Sequence, residues 1–293
     1  MQTCWIVYNG SLTDEKFIDQ ALLLQEAAIK QGIQATLVKN YELLMDVQLG
    51  LRDTRPDFVI FLDKDILLAK FLKNEGIPVF NDPDIIEICD NKARQYMLLA
   101  KAQVPMPRTI IAPKVYTDFT IQHTGFYEQV LETIKLPMII KEAHGSFGFK
   151  VYLIETKEQF FEKVEELNGK EYVFQEFIEN SRGRDIRVNV VGGQVIACMH
   201  RHSETDFRAN ITNGGTASQI ELTERQKEVA IHAAQALNAE FAGVDLLFGE
   251  DEEPLVCEVN GVAHIRNIYN VTGINVGDAM ISYALSKVGT VLI

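Results

Sequence analysis

A parallel α/β domain followed by a mixed α+β region is the architecture this sequence predicts. Three observations carry it. Over residues 1 to about 80, short apolar strand runs ("CWIVYNG", "IQATLV", "PDFVIFL", "IPVF") alternate with helical segments, the order that builds a small parallel sheet with covering helices. After about Pro105 the strands arrive instead as hairpins, which are antiparallel signals mixed with helices. At 293 residues the chain is long enough for two or three lobes with cores of their own.

The elements follow in order. "TDEKFIDQALLLQEAAIKQG" reads as a helix, with Thr13 as candidate N-cap and Gly32 as its stop. Asp82-Pro83 opens another, proline being favoured in a first turn. "PMIIKEAHGSFGFKVYLIE" is strand, glycine loop, strand, and "EYVFQEFIE" is a further strand. "DIRVNVVGGQVIACMH" is a hairpin turning at Gly192-Gly193. Thr223 and Gln226 are spaced as a capping box for the helix that runs to Phe241. The boundaries fall near residues 80–90 and, more softly, near Ile178–Arg184, giving domains 1–85, 86–178 and 179–293.

Composition excludes several classes of function. Lys and Arg number 28 against 41 acidic residues, a net charge of −13. That sign argues against a nucleic-acid partner, although a small anion can still occupy a local basic pocket. Hydrophobic content of 47% and charged content of 24% are ordinary for a soluble globular chain. Cys4, Cys89, Cys198 and Cys257 are scattered with no Cys-x-x-Cys pair, so reduced thiols are expected rather than a disulfide framework or a zinc site. "MQTCWIVYNG" lacks the pattern of an export signal, and no apolar run approaches the roughly 20 residues that span a bilayer. The expectation is a cytoplasmic protein with no membrane partner.

The stretch "GVDLLFGEDEEPLVCEVNG", Gly243 to Gly261, sets Asp245, Glu258 and Asn260 among apolar strand residues. An unpartnered buried carboxylate is costly, so positive charge is required nearby. A turn centred between Asp251 and Glu252 puts Asp245 opposite Glu258, with Asn260 two residues along on the same face. Three converging oxygen side chains suit Mg²⁺ or Mn²⁺. The competing reading is the solvated face of an edge hairpin. It fits "EDEE" at Glu250–Glu253 and fits Asp245 poorly.

Cations occur elsewhere in the chain. Lys141 ends a strand before a loop holding Gly145 and Gly148, a loop whose amides can close over phosphates. It exits into a strand, which rules out a Walker A loop and a dinucleotide fingerprint, both of which enter a helix. An ordinary hairpin connection is the bland alternative. Lys92 sits at a helix start. "DIRVNVV" places Asp185, Arg187 and Asn189 on one face, and the following loop offers Arg201, Arg208 and Asn210. Arginine's planar fork is suited to phosphate. Surface lysines and loop arginines without function are the alternative for each taken singly.

Taken in order, "DNK" at Asp90–Lys92, "PMIIKEAHGSFG", "VFQEFIE", "GRDIRVNVVGGQVIA", "DFRANITNGGTAS", "GVDLL", "CEVN" and "TGINVGDAMI" resemble the ATP-grasp superfamily and, within it, the RimK-type ligases. The likeness runs from Asn81 to the C-terminus. It implies a pre-ATP-grasp domain followed by a two-lobed ATP-grasp fold, the lid lobe at 86–178 and the metal site in 179–293. It implies that Lys92 and Lys141 hold ATP phosphates, that Gly145, Ser146 and Gly148 form a mobile flap, and that Gln175, Glu176, Phe177 and Ile178 line the adenine pocket. Asp185 would lie near the nucleotide, Arg208 and Asn210 on its phosphates, and Asp245, Glu258 and Asn260 on two Mg²⁺ ions. Arg201 would meet the oxyanion of the second step.

The implied activity is ADP-forming ligation of a carboxylate and an amine, small molecules or a peptide, through an acylphosphate. Homodimers or homotetramers are usual in that family. Two departures stand out. Lys150 replaces a third loop glycine. After "EVN" the chain reads "GVAHIRN", where the family continues Ser/Ala-Ser-Pro-Gly, so His264 and Arg266 lie where an acceptor is expected. Phosphotransfer without ligation, and nucleotide binding without turnover, are the competing functions.

Overall fold

The computed structural model describes residues 2–52, 54–116, 119, 124–146, 148–211 and 214–289. Three sheets arise from three stretches of chain. In the first, β1 (Thr3–Tyr8), β2 (Gln34–Lys39), β3 (Phe58–Phe61) and β4 (Val79–Phe80) lie in the order β2-β1-β3-β4, all parallel. Helices α1 (Glu15–Lys30) and α2 (Ile66–Asn74) supply the crossovers. The α1 N-cap is Asp14 rather than Thr13: Asp14 has extended backbone and its carboxylate accepts the Lys16 N–H at 3.1 Å. Gly32 ends the helix at φ +77, a conformation open to glycine. Asp82 caps α3 (Pro83–Asp90), and Asn91 caps α4 (Lys92–Lys101).

The second sheet is antiparallel, ordered β5-β8-β6-β7, from β5 (Thr109–Ile111), β6 (Met138–Glu142), β7 (Val151–Ile154) and β8 (Tyr172–Glu176). Helices α5 (Gly125–Thr133) and α6 (Lys157–Glu166) cover it. Their core of Tyr127, Val130, Met138, Ile140, Phe160, Val164 and Phe174 is self-contained. The third sheet is ordered β11-β10-β9-β12-β13: β9 (Arg184–Val191), β10 (Gln194–His202), β11 (Thr216–Ser218), β12 (Phe241–Phe248) and β13 (Pro254–Asn260). Gly192 and Gly193 turn β9 into β10 with φ +57 and +78, the left-handed pair a two-residue hairpin requires. Thr223 and Gln226 close the expected capping box on α7 (Glu224–Ala236). The side chains of Ile186, Val188 and Val190 pack under α7 with Tyr96 and Leu99 of α4, leaving the other face of the sheet for polar groups.

The first and third sheets are joined through a common core. Cys4, Ile6 and Tyr8 of β1 and Leu24 and Ala28 of α1 pack with Phe241 of β12, with Ile268 of α8 (Arg266–Thr272), and with Ile281 and Ala284 of α9 (Val276–Val288). Asn81, buried just after β4, pins the seam. Its amide donates to the Phe241 carbonyl at 2.8 Å and the Gly261 carbonyl at 2.5 Å, and its oxygen accepts the Phe241 N–H at 2.8 Å. Among the described residues, no helix is long and apolar enough to cross a membrane.

Two outcomes follow for this seam. Asn81→Ala removes the side-chain partner of two buried main-chain groups of Phe241 and of the partly buried Gly261 carbonyl, and lowers unfolding free energy by about 2–4 kcal/mol, read from urea denaturation. Beside it, Glu240 accepts the Asp82 N–H at 3.2 Å, and burial pushes its pKa from 4.5 up to about 7. The folded state therefore favours protonated Glu240, so its contribution is complete below 4.5 and lost as pH rises through about 7. Glu240→Gln should remove that loss, about 1–2 kcal/mol after allowing for partial exposure, in melts compared at about pH 5 and about pH 8.

Candidate functional site

Between the second sheet and the polar face of the third lies a cleft lined by Lys92, Lys141, Glu176, Arg208, Asp245 and Glu258, a concave setting of the kind that takes small molecules. Every site residue expected from the sequence except Asn260 lines it, and Asn260 bonds to one that does. Phe147 in the flap, and Thr212 and Asn213 in the arginine loop, lie outside the described residues.

The acidic hairpin pairs as expected where it matters. Asp245 is opposite Glu258 and Gly243 opposite Asn260, with a bulge just beyond Asp245 that shifts the rest of the ladder by one. Asn260 donates to the Glu258 carboxylate at 3.2 Å. The positive partner of Asp245, however, is arginine. Arg187 stands opposite it on β9 and grips both its oxygens, through Nε and, at 2.8 Å, through Nη2. Arg201 on β10 reaches Asp245 at 3.0 Å and is itself forked onto Asp185 at 2.6 and 2.7 Å. These four side chains are all buried, and their charges sum to zero. Burial acts to raise the Asp245 pKa, yet Arg187 and Arg201 together hold it below the ordinary carboxylate value. Asp185 and Arg201 are thus members of a buried ion-pair network that also lines the cleft.

Gly243 makes room for this network. A Cβ there would come 2.5 Å from the Ala263 Cβ and 3.2 Å from Arg187 Nη1.

The donor set still fits a divalent cation. A carboxylate offers about four lone-pair sites, and the arginines occupy three of Asp245's. Glu258 is half-buried; its Oε1 accepts from Asn260, while its Oε2 lies 3.9 Å from Lys92 Nζ. Asn260 uses its amide nitrogen on Glu258 and on the Gly243 carbonyl, which leaves its oxygen as a ligand. Glu258 and Asn260 would carry most of the coordination, with Asp245 contributing one position. Among the described residues no group of three or more His, Cys, Asp or Glu side chains is placed to hold a metal ion, so Asp245 and Glu258 would need a further donor, and the Asn260 oxygen is placed to be one.

The cations opposite are buried or held by the flap. Lys141 on β6 is buried, donating to the Tyr96 hydroxyl at 3.1 Å and lying 3.5 Å from the Cys257 sulfur. Lys92, at the start of α4, donates to the Gly145 carbonyl at 2.9 Å. Burial pulls its pKa below the ordinary lysine value, opposed by Glu258 and aided by the charges of Lys141 and Lys64. Arg208 is forked onto its neighbour Asp206 and donates to the Gly148 carbonyl at 2.5 Å. Lys150, where a third glycine was expected, packs its stem against Gly145 and pairs with Glu142 at 3.1 Å, so it braces the flap from below. Asn210 lines the cleft beyond Arg208.

At the far end, Glu176, Phe177 and Ile178 leave β8 at the edge of the cleft. The Gln175 amide instead donates to the Thr109 hydroxyl at 2.8 Å, a bond that ties β8 to β5. Phe177 packs edge-on against Phe207 and under Arg182. The walls add Ile139, Val151, Leu247 and Cys257, none of which the sequence singled out. Leu247 sits two residues beyond Asp245 and so shares its face, a signal that was present but silent because an apolar residue in a strand is unremarkable. Arg187 was on the right face with Asp185, and only the strand order reveals that it serves Asp245.

Arg266 is taken: Asp19 of α1 grips it at 2.5 and 2.6 Å. His264 lies edge-on to Phe17, and burial, with Lys16 and Arg187 nearby, pushes its pKa down to about 4, so it is neutral at pH 7. The "GVAHIRN" segment is thereby tied to α1.

Comparison with known proteins places this geometry. Residues 89–284 match the model of the RimK-like ATP-grasp domain. An uncharacterized protein of Mycoplasma pneumoniae is 30% identical over 261 residues, covering 87% of this chain and 89% of its own. A probable alpha-L-glutamate ligase of Enterobacter sp. is 33% identical over 222 residues, 74% of this chain and 68% of its own. Among solved structures, the ATP-grasp ligase PsnB, in complex with a phosphomimetic variant of its minimal precursor, Mg and ADP, superposes with a TM-score of 0.70 at 17% identity, covering 98% of this chain and 99% of that one. At that identity the likeness is one of fold.

Removing one member of the buried network strands its partner. Arg201→Met leaves Asp185 without its fork and destabilises the protein by about 3–5 kcal/mol, measured by urea unfolding. A change within 1 kcal/mol of wild type would mean that water reaches these carboxylates.

Proposed function

The chain belongs to the RimK-like ATP-grasp family, and from that premise we propose that it is an ADP-forming carboxylate–amine ligase. One observation carries the reading: a single cleft gathers Lys92, Lys141 and Arg208 beneath a glycine flap together with Glu258 and Asp245, and Asn260 bonds to Glu258 at its edge. That is an array of cations for a triphosphate facing oxygen ligands for the metal that accompanies it. When bound, Mg²⁺ (or Mn²⁺), one ion or two, supplies charge neutralisation on the phosphates.

The roles of the chain's own residues follow from their positions. Lys92 and Arg208 hand their flap carbonyls over for phosphate oxygens, since a charge-assisted bond to phosphate is the stronger. Lys141, fixed by Tyr96 and Cys257, is a pre-oriented cation that needs little reorganisation. Glu176, Phe177 and Ile178 offer an apolar edge and backbone groups to a base. A substrate carboxylate attacks the γ-phosphate to form an acylphosphate and ADP. An amine then displaces inorganic phosphate to form the amide, with Arg201 near the developing oxyanion. The lowered flap excludes water from the acylphosphate.

The uncharacterized and glutamate-ligase relatives leave both substrates open. An amino acid added to a small molecule or a peptide is the reading that the glutamate-ligase relatives support. The four free cysteines support a reducing, cytoplasmic setting.

The decisive measurement is ADP and phosphate release in a screen of amino acids and dipeptides with Mg·ATP. Release that requires both an acid and an amine supports ligation. A stable phosphorylated product with no amine requirement would replace it with a kinase, and nucleotide binding without turnover on any pair would replace it with a binding protein. Glu258→Gln should lower turnover by at least about 10³-fold while leaving the fold intact.

A further inference from the structure

One cation touching the flap comes from outside the ATP-grasp lobes. β3 ends at Phe61, and the chain runs through Asp63 and Lys64 before entering α2, which sets Lys64 at the C-terminal rim of the first sheet. Its ammonium lies 2.6 Å from an Asp90 oxygen and donates to the Ser146 hydroxyl at 3.0 Å. The other Asp90 oxygen is 3.0 Å from His144 Nδ1. The flap is therefore held at Ser146 by Lys64 of the first domain, and at His144 by Asp90 at the end of α3, to which Lys64 is paired. At Gly145 and Gly148 it is held by Lys92 and Arg208.

These two pairs of contacts differ in what a nucleotide does to them. Lys92 and Arg208 line the cleft, whereas Lys64, Asp90 and His144 do not. Once phosphates engage Lys92 and Arg208, the Gly145 and Gly148 carbonyls lose their donors, and the contacts through Lys64 and Asp90 remain. As a contribution to folding they are slight, because Lys64 is 39% exposed and a surface ion pair is worth little. As a tether on a glycine-flanked loop they restrict the open conformations that would compete with closure.

We propose that Lys64 is a positioning residue that latches the flap over the nucleotide, making the first domain a working part of phosphoryl-group sequestration. The inference rests on the ATP-dependent ligase reading and extends it to a residue outside the cleft.

The test uses the full chain with Mg·AMPPNP as probe, reading affinity by calorimetry and amide hydrogen exchange across residues 144–150. Wild type should bind and protect these amides. Lys64→Met should bind about 5- to 10-fold more weakly, the scale of one charge-assisted bond, and exchange its flap amides at least about fivefold faster in the bound state. Lys64→Arg should restore most of both. Ser146→Ala should move both in the same direction, and the double variant should be no worse than Lys64→Met, because the two share one contact. Lys70→Met, which removes ion pairs to Glu87 and Asp84 away from the flap, should match wild type.

If Lys64→Met binds and protects like wild type, or if Lys70→Met is equally impaired, the latch is wrong while the ATP reading stands. If wild type does not bind Mg·AMPPNP at all, the ATP reading fails and the latch fails with it.

Discussion

The buried quartet of Asp185, Arg187, Arg201 and Asp245 is the constraint around which the third sheet is arranged. Two carboxylates and two guanidiniums, each largely cut off from water, are tolerable only because every charge meets its opposite with hydrogen-bond geometry. The requirement fixes strand order and register together. β9 must lie between β10 and β12 so that Arg187 stands opposite Asp245 and Asp185 opposite Arg201. A slip of one residue would turn Arg187 toward α7 and the apolar residues of that layer toward the cleft. The same quartet turns the acidic hairpin's unused oxygens toward the opening, where Glu258 and Asn260 stand.

Much of this was legible because strand periodicity and turn chemistry are local. Gly192-Gly193, the Asp82-Pro83 start, the Thr223–Gln226 box and the Asp245–Glu258 register depend on residues within a few positions of each other or on one turn. The placement of the cleft residues came from resemblance in motif order, and the structure gathers them. What could not be read is what strand order alone decides. Nothing near Asp245 in the sequence names Arg187, which lies 58 residues away. The requirement for a positive partner was sound, and its identity as arginine follows from two strands being neighbours. The α1 cap slid from Thr13 to Asp14 because a carboxylate one residue on reaches the same first-turn amide. Lys64 was invisible because a single lysine between two aspartates in "LDKD" is the ordinary look of a loop.

The seam between the first and third sheets is built by the opposite logic. Asn81 and Gln95 each make reciprocal bonds to main-chain groups of β12 or β13, Gln95 donating to the Val259 carbonyl and accepting its N–H at 2.7 Å each. Such bonds use amide side chains as substitute strand edges. They join elements that never pair as strands, and they do so without charge, so the joint is insensitive to pH apart from Glu240.

The division of the cores has a mechanical consequence. The first sheet, α1, α8 and α9 share side chains with the third sheet, and α4 shares them too, while the second sheet keeps an aromatic core of its own and lends Val173 of β8 to the core beneath the third sheet. The fold is then laid out like a vice, with one jaw built from both ends of the chain and the other from its middle. Force applied between α1 and α9 would be borne first by the contact that joins them within the shared core. Were the two jaws to move apart, probes on α5 and α7 would register the change, while probes on α1 and α9 would sit on one side of it.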